Sequence, residues 1–428
     1  MKIVSKLALG AVLALGVTSM ATMSPAEAQR KRADAEAEAA TPHVPKLGKK
    51  IRGPLSEAQT AIAAKDTATA TAKLAEADAL AASADEKYVI GQLRLQLASA
   101  NNDTAAQRTA VDAMIASGGI PPADLPKFQF YSGNFAYNAN EFPRAIEMLS
   151  AAQQGGYVHM DSAGQPTQDL NLLLAEAHFK SNQIPQGLAY VERAVEGERA
   201  AGRTPPSDWY SRAISAAYGA KLMNEVSKWT RLQVQVDPSA ENWRRALVIY
   251  RDSTKLDAAT NLDLLRLMRS SKSLASERDY LEYAQETADR GLPGETKAVI
   301  DEGAAAGVVN KSNRAVADVY SVANTRVAAD RASLAASEKQ AAAAANGKIA
   351  ASTGDAYLSY GDDAKAAAMY QLALQKGGVD ANVINTRLGI ALARSGQKDA
   401  ARTAFQAVTG PRADLAAYWM LWLDRPVA

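Results

Sequence analysis

Few residues of this chain combine the side-chain types and spacing that catalysis or metal binding requires. The three histidines are His43, His159 and His178, and no two of them stand at the spacing of metal ligands. A catalytic imidazole also needs a group that orients it, and the spacing places no such group beside them. We expect His178, in the middle of a predicted helix, to be a packed or groove-lining residue.

Two short motifs could carry chemistry, but their surroundings do not support it. Gly347-Lys348 resembles the end of a phosphate-binding loop, yet no glycine precedes it at the required distance and Ile349 replaces the hydroxyl residue. Ser395-Gly-Gln-Lys398 has the Ser-x-x-Lys spacing of penicillin-interacting enzymes, but the companion Ser-Asp-Asn and Lys-Thr-Gly elements are absent. Cysteine is absent too, which removes thiolate chemistry, disulfides and the acylated cysteine of a lipoprotein. The sequence predicts no enzyme active site, cofactor or metal.

The N-terminus has the pattern of a secretory signal peptide. Lys2 and Lys6 precede an apolar run, residues 7–17, and Ala26-Glu-Ala28 supplies the small-x-small cleavage pattern. The apolar run is shorter than the roughly 20 residues of a membrane-spanning helix. We therefore expect cleavage after Ala28 and a periplasmic or secreted mature protein. Residues 29–53 contain almost no large apolar side chains and are predicted to be a flexible linker.

Length and charge set limits on the remaining chain. A single compact core stops growing at roughly 250–300 residues, so 428 residues favour several cores or one extended array. Lysine and arginine total 48 against 46 acidic residues, which gives a net charge of +2. Because no excess of basic residues is present, we expect no nucleic-acid partner.

From residue 54 onward, helix-length stretches with apolar periodicity alternate with short turns. Two segments near the C-terminus match each other at a constant offset of 35 residues, with Gly354, Ala366 and Tyr370 corresponding to Gly389, Ala401 and Phe405. Small residues let paired helix backbones approach, and we expect the aromatic to fill the gap to the next pair.

These residues resemble the tetratricopeptide repeat family. Similar fits surround Gly133 and Ala145, Leu174 and Leu188, and Trp209 with Ala213. The resemblance implies an all-α superhelix of antiparallel helix pairs. Its predicted parts are N-terminal repeats at 54–239, an irregular helical segment at 240–346, and C-terminal repeats with a capping helix at 347–428.

Two features of this plan allow alternatives. The stretch from about Ser312 to Ala345 contains no proline or glycine and is either one long helix acting as a rigid spacer or two ordinary helices. The last predicted helix carries Tyr418, Trp419 and Trp422, which either seal the final helix pair or form an exposed patch for a partner.

The resemblance also implies a binding groove, because the first helices of such repeats line a concave surface. The repeat register places aromatic and polar side chains on that side, a mixture suited to an extended peptide. The predicted groove residues are Lys127, Phe130, Asn134, Tyr137, Asn138, Leu172, Glu176, Phe179, Asp208, Ser211 and Tyr218.

The sequence thus predicts a non-catalytic, exported scaffold that binds other proteins or extended peptides, in cell-envelope assembly or secretion. One alternative is a helical module of the kind associated with peptidoglycan-processing enzymes. A further alternative is an adaptor held at the membrane by other proteins. The partner, the pathway and the oligomeric state have no signature in the sequence.

Overall fold

The computed structural model describes residues 44–425. The predicted signal peptide, residues 1–28, and most of the predicted linker lie outside the described residues. Within them the chain is all α, with twenty α-helices and one short 3₁₀ turn. The chain divides into two compact units, with unit 1 ending at Arg203 and unit 2 beginning at Thr204.

Unit 1 contains eight described helices. They are α1 Lys49–Ala63, α2 Thr67–Leu80, α3 Ala84–Ala100, α4 Thr104–Ser117, α5 Leu125–Asn138, α6 Phe142–Gln154, α7 Asp169–Lys180 and α8 Ile184–Ala200. Each odd-numbered helix pairs with the helix that follows it, so the unit consists of four consecutive helical hairpins.

Unit 2 contains twelve helices. They are α9 Ser207–Gly219, α10 Met223–Val236, α11 Ala240–Ser253, α12 Ala258–Ser270, α13 Glu277–Asp289, α14 Pro293–Ala305, α15 Arg314–Ala343, α16 Lys348–Ser359, α17 Asp363–Lys376, α18 Ala381–Arg394, α19 Lys398–Gln406 and α20 Ala413–Asp424. The 3₁₀ turn Gly410–Arg412 precedes α20.

The hairpin turns share one backbone conformation. In each turn that joins a hairpin, the residue before the N-cap of the second helix has a positive φ, as at Asn102, Asn140, Asn182 and Gly396. Glycine and asparagine adopt this left-handed conformation at little cost, which explains why they marked the turns in the sequence. Lys221, with φ 59°, occupies the same position in the α9–α10 turn.

The matched glycines are the close-contact points of their hairpins. A Cβ at Gly354 would lie 2.8 Å from Tyr370 Cε1, and one at Gly389 would lie 2.4 Å from Phe405 Cε1. The aromatic ring therefore lies directly over the glycine of its own hairpin, whereas we expected it between hairpins. The predicted helix-pair fold is confirmed, with this correction to its packing.

The first helix begins earlier than predicted. Helix α1 starts at Lys49, inside the predicted linker, and includes Pro54. Ile51 is 1% exposed in a small core with Leu55 and Leu74, so the first turn of α1 is held in place by apolar packing. The N–H of Gly48 donates to Glu86 Oε1 at 2.9 Å, which fixes the start of the helix. The few apolar residues before Pro54 were too weak a signal to predict this extension.

The chain divides into its two units at the turn before α9. Arg203 closes unit 1 there by pairing with Glu198 at 2.6 Å. Helices α9 and α10 belong to unit 2, where Val234 joins the same core as Trp243. The predicted change at 239/240 from regular repeats to an irregular segment is a separate division and stays a prediction.

The stretch after residue 312 forms one continuous helix of 30 residues, α15. It packs against α14 and α16, and also contacts α13 and α17, so it is a member of the helix stack. Only Val316, Ala323, Leu334 and Ala341 are buried along its length, and most of its surface faces solvent. The helix is therefore not a free spacer between two repeat blocks.

The end of unit 2 packs against its beginning. Helix α20 contacts α10, α12 and α18. Tyr418 and Trp419 are fully buried, with Trp419 stacked on Phe405 at 6.0 Å and Tyr418 beside Tyr250 at 5.5 Å. These aromatics seal the core of unit 2, so the alternative of an exposed patch formed by Tyr418 and Trp419 is wrong.

Candidate binding surfaces

The predicted groove residues of α5 do not all reach solvent. Lys127 and Asn138 are exposed, Tyr137 is half-buried, and Asn134 is buried where its Oδ1 accepts from Asn138 Nδ2 at 3.5 Å. Lys127 and Asn138 are eleven residues apart, which is three helical turns, so they lie on one stripe of the helix. Phe130 is only 3% exposed and cannot line an open groove.

A loop between α6 and α7 covers Phe130. Tyr157 and His159 both stack on its ring, at centroid distances of 4.7 Å and 5.1 Å. His159 Nδ1 lies 3.1 Å from the Tyr157 hydroxyl, and its Nε2 lies 3.6 Å from Asp169 Oδ2. Burial raises the pKa of Tyr157, which keeps its hydroxyl protonated. The cluster therefore fastens the loop over α5.

The predicted residues of α7 divide in a similar way. Leu172 and Glu176 are half-buried on one face. Phe179 lies against the neighbouring helix, because a Cβ at Gly187 would be 2.4 Å from Phe179 Cδ1. His178 is 8% exposed, stacks on Tyr190 at 5.3 Å, and its Nδ1 lies 2.6 Å from Gln183 Oε1. His178 is thus a packed residue, one of the two roles that the sequence predicted.

The remaining predicted residues belong to the other unit. Asp208, Ser211 and Tyr218 lie on α9, and Ser211 Oγ accepts from Gln233 Nε2 at 2.6 Å. Tyr218 is 62% exposed, one of the largest exposed apolar side chains among the described residues. Helices α5 and α7, which carry the other predicted groove residues, contact each other within unit 1.

Unit 2 contains a cleft that the sequence did not predict. It lies between the α13–α14 turn and the middle of α15 and has a volume of about 400 Å³. Val322 is 50% exposed at its edge. The lining residues are Ala288, Gly291, Leu292, Pro293, Thr296, Val322, Ala323, Thr325, Arg326, Ala329 and Asp330.

A buried cluster of charges lies elsewhere in unit 2. Asp263 of α12 is fully buried and faces three guanidinium groups. Arg266 Nη1 donates to Oδ1 at 2.9 Å and Arg387 Nε at 3.4 Å, while Arg412 donates to Oδ2. Burial alone would raise the pKa of Asp263, but Arg387, Arg412 and Arg266 hold it below its usual value.

The same cluster extends to α14 and α16. Arg266 binds Glu295 through two parallel hydrogen bonds of 2.9 Å and 2.6 Å, and Tyr283 donates to Glu295 Oε1 at 2.6 Å. Against the opposing effect of burial, Arg266 lowers the pKa of Glu295 to about 2. Arg387 Nη1 donates to Asp355 Oδ2 at 2.7 Å. Three arginines and three carboxylates thus balance one another.

This cluster is suited to holding helices together. Both oxygens of Asp263 and both of Glu295 accept from guanidinium groups, and the lowered pKa values of these two carboxyls make them poor proton donors at neutral pH. Its residues come from α12, α14, α16, α18 and the 3₁₀ turn. A signal existed in the sequence: Asp263 and Arg266 interrupt the apolar run Leu262 to Met268, and charges within an all-apolar helix segment indicate buried pairing.

The described part of the chain contains neither a candidate metal site nor a helix that could span a membrane. Residues 44–425 contain no group of three or more histidine, cysteine, aspartate or glutamate side chains placed to hold a metal ion. No helix in that range is both long and apolar enough to cross a membrane.

Comparisons with known proteins give structural similarity alone. No family model matches the sequence, and no curated protein matches it. The chain is similar to the C-terminal part of a TPR repeat-containing protein from Cytophaga hutchinsonii, with 10% identity, a TM-score of 0.28, and coverage of 78% of this chain and 98% of that one. It is also similar to the TPR2AB domain of yeast Sti1 in complex with pHSP90, with 13% identity, a TM-score of 0.23, and coverage of 71% and 99%.

A third solved structure is the pentatricopeptide repeat protein PPR10 in complex with an 18-nucleotide RNA element. Its identity to this chain is 14%, its TM-score is 0.27, and the match covers 92% of this chain and 62% of that one. The helical-hairpin fold described above rests on the helix pairing of this chain and not on these superpositions.

Proposed function

We propose that the chain is a protein-interaction scaffold that binds a partner protein or extended peptide on the first helices of its hairpins in unit 1. The observation that carries the proposal is the contact between α5 and α7, the two neighbouring first helices of unit 1 that bear predicted groove residues. Lys127 and Asn138 offer a cation and an amide on one stripe, and Leu172 and Glu176 offer an apolar group and a carboxylate on the adjacent helix. This mixture suits contacts along an extended polypeptide.

A protein is the proposed partner because the sequence carries nearly equal numbers of basic and acidic residues. Nucleic-acid binding depends on an excess of lysine and arginine that neutralises phosphates. The two solved structures named above contain pHSP90 in one case and an RNA in the other, so helical hairpins can serve either class of partner. The charge balance favours the protein.

A photo-crosslinking amino acid placed on either helix of a hairpin tests this proposal in cells. We expect a discrete crosslinked partner from positions 127 and 138 on α5. Glu147 on α6 and Gln186 on α8 are equally exposed and serve as matched control positions on second helices. Crosslinks that appear equally at all four positions, or at none, would contradict the proposed face.

The proposal includes export to the periplasm, which is supported by the N-terminal pattern of Lys2, Lys6 and Ala26-Glu-Ala28. We expect cell fractionation to recover the protein in the periplasmic fraction with Gln29 as its first residue, measured by intact mass and N-terminal sequencing. Recovery in the cytoplasmic fraction with an uncleaved N-terminus would reject this part of the proposal. It would leave the α5 and α7 face untouched.

A further inference from the structure

We infer that the cleft beside α15 is a second binding site, and that it takes an aliphatic side chain with a carboxylate group next to it. The site lies wholly within unit 2 and shares no residue with the α5 and α7 face. It is therefore independent of the proposed function in unit 1.

The floor of the cleft is apolar. Leu292 and Pro293 at the start of α14 are buried, and Ala323 of α15 is 3% exposed. Thr296 is also fully buried, but its hydroxyl donates to the Leu292 carbonyl oxygen at 3.0 Å, so it presents no unsatisfied polar group to a ligand. A volume of about 400 Å³ lies in the range of small-molecule and side-chain pockets.

The rim of the cleft includes an apolar side chain that is exposed to water. Val322 is 50% exposed at the edge of the cleft, although valine is among the residues most often buried. Ala329, two turns further along α15, is also exposed and lines the same cleft. An aliphatic side chain entering the cleft would cover both residues, which is favourable because it removes apolar surface from water.

The charged residues at the rim of the cleft indicate which ligand group should lie beside the aliphatic side chain. Arg326 lines the cleft one turn from Val322, and it makes no hydrogen bond or ion pair within the described residues. Asp330 is the other charged residue in the lining of the cleft, and its Oδ2 already accepts from the Tyr360 hydroxyl at 2.7 Å. A free guanidinium beside an apolar cavity is complementary to a carboxylate, which it can bind through two parallel hydrogen bonds.

The surroundings of Arg326 distinguish it from the other cations of the region. Arg290 binds Glu286 at 2.7 Å, Lys297 binds Asp301 at 2.5 Å, and Arg331 lies 3.8 Å from Asp362. The helix therefore leaves unpaired the one guanidinium that lines the cleft. The occupant is therefore a partner polypeptide that presents an aliphatic side chain beside a carboxylate, and an acidic side chain and a chain end present the same two oxygens to Arg326.

Affinity selection with two pools of random hexapeptides tests the inference. One pool ends in a free carboxylate and the other in an amide, and peptides retained by the mature full-length protein are sequenced by mass spectrometry. We expect retained peptides to be enriched in leucine, isoleucine, valine or methionine next to a carboxylate. Enrichment in both pools identifies an acidic side chain as the ligand, and enrichment confined to the free-acid pool identifies a chain terminus.

Three variants connect this selection to the cleft. Arg326→Glu should lower the enrichment of carboxylates by about fivefold, the scale of one exposed ion pair. Val322→Asp should abolish retention of aliphatic peptides, and circular dichroism verifies that the variant is folded. Arg314→Glu reverses a charge on the same helix at a side chain that is 95% exposed and far from the cleft, and should leave selection unchanged.

Two results would overturn the inference. The first is that the wild-type protein retains no peptide family above background. The second is that Arg326→Glu selects the same acidic peptides as Arg314→Glu, which would show that another surface captures them.

Discussion

Substitution of Asp263 by alanine should destabilise unit 2 strongly. The change removes the carboxylate that faces Arg266, Arg387 and Arg412. Arg266 keeps Glu295 as a partner and Arg387 keeps Asp355. Arg412 keeps hydrogen bonds to the hydroxyls of Thr260 at 2.8 Å and Thr386 at 3.4 Å. Its nearest remaining carboxylate is that of Asp257 at 3.9 Å, so a buried guanidinium is left almost without a counter-charge.

The expected magnitude follows from that unpaired charge. Removing one partner of a buried ion pair costs about 3–5 kcal/mol. This is a large part of the roughly 5–15 kcal/mol that holds a domain folded. With a urea dependence of about 3 kcal/mol per molar for a unit of this size, the midpoint should fall by roughly 1–2 M.

Tryptophan fluorescence in a urea titration reports on this unit selectively. All five tryptophans of the chain lie in unit 2, at Trp209, Trp229, Trp243, Trp419 and Trp422. Circular dichroism at the same urea concentrations reports the helices of both units, and the part of its transition that tryptophan fluorescence does not follow belongs to unit 1 and should be unaffected. Asp318→Ala, which removes a carboxylate that is 74% exposed, is the matched control and should shift the midpoint little.

A double variant separates pairing from simple loss of packing. Adding Arg412→Leu to Asp263→Ala removes the orphaned cation, so part of the lost stability should return. A free energy of unfolding for Asp263→Ala within about 1 kcal/mol of the wild-type value would refute the argument that these charges hold unit 2 together. A double variant less stable than the sum of the two single changes would refute it as well.

Three further predictions concern unit 2, each measured by tryptophan fluorescence. Because the pKa of Glu295 is lowered to about 2 in the folded state, its stabilisation is complete above the unfolded value near 4.5 and is lost as the pH falls toward 2; an acid titration without loss of stability between pH 4 and 2 would contradict this. Lys221→Gly should raise stability by about 0.5–1 kcal/mol, since it relieves a left-handed backbone; an unchanged or lower urea midpoint would show that Lys221 is unstrained. Gly389→Ala should cost about 1–3 kcal/mol because its Cβ would meet Phe405, whereas Gly219→Ala, with no atom within 4 Å of the added Cβ, should not; equal effects would count against close packing at Gly389.

The hairpin architecture was predictable because its signals are local. The 35-residue offset between Gly354 and Gly389 is a pattern of neighbouring positions, and the structure places both glycines beneath the aromatics of the same offset. Turn residues such as Asn102 and Asn182 adopt the left-handed conformation that asparagine tolerates. Helix existence and helix ends follow from such short-range constraints.

The exposure of individual groove residues could not be predicted, because exposure depends on what covers a helix. Phe130 was placed on the groove side, but Tyr157 and His159 from a loop 27 and 29 residues further along the chain lie on it. Phe179 follows the same repeat spacing yet points at Gly187. Nothing in the periodicity of α5 or α7 indicates that a loop or a neighbouring helix occupies a particular face.

The closure of unit 2 could not be predicted from local patterns. Asp263 and Arg412 are 149 residues apart in sequence, and neither has a neighbour that specifies the other. A pair separated by that distance is identified only when the helices between them are folded. The burial of Tyr418 and Trp419 against the beginning of the unit has the same origin.

The central claim, that the first helices of unit 1 bind a partner, is tested most directly by calorimetric titration of the crosslinked partner with purified variants. The account predicts that Lys127→Glu combined with Asn138→Arg weakens binding by about tenfold or more, the equivalent of about 1.4 kcal/mol. Glu147→Arg, an equally exposed change on α6, should leave the Kd within about twofold of wild type. Equal Kd values for the wild type and the α5 variant would contradict the claim.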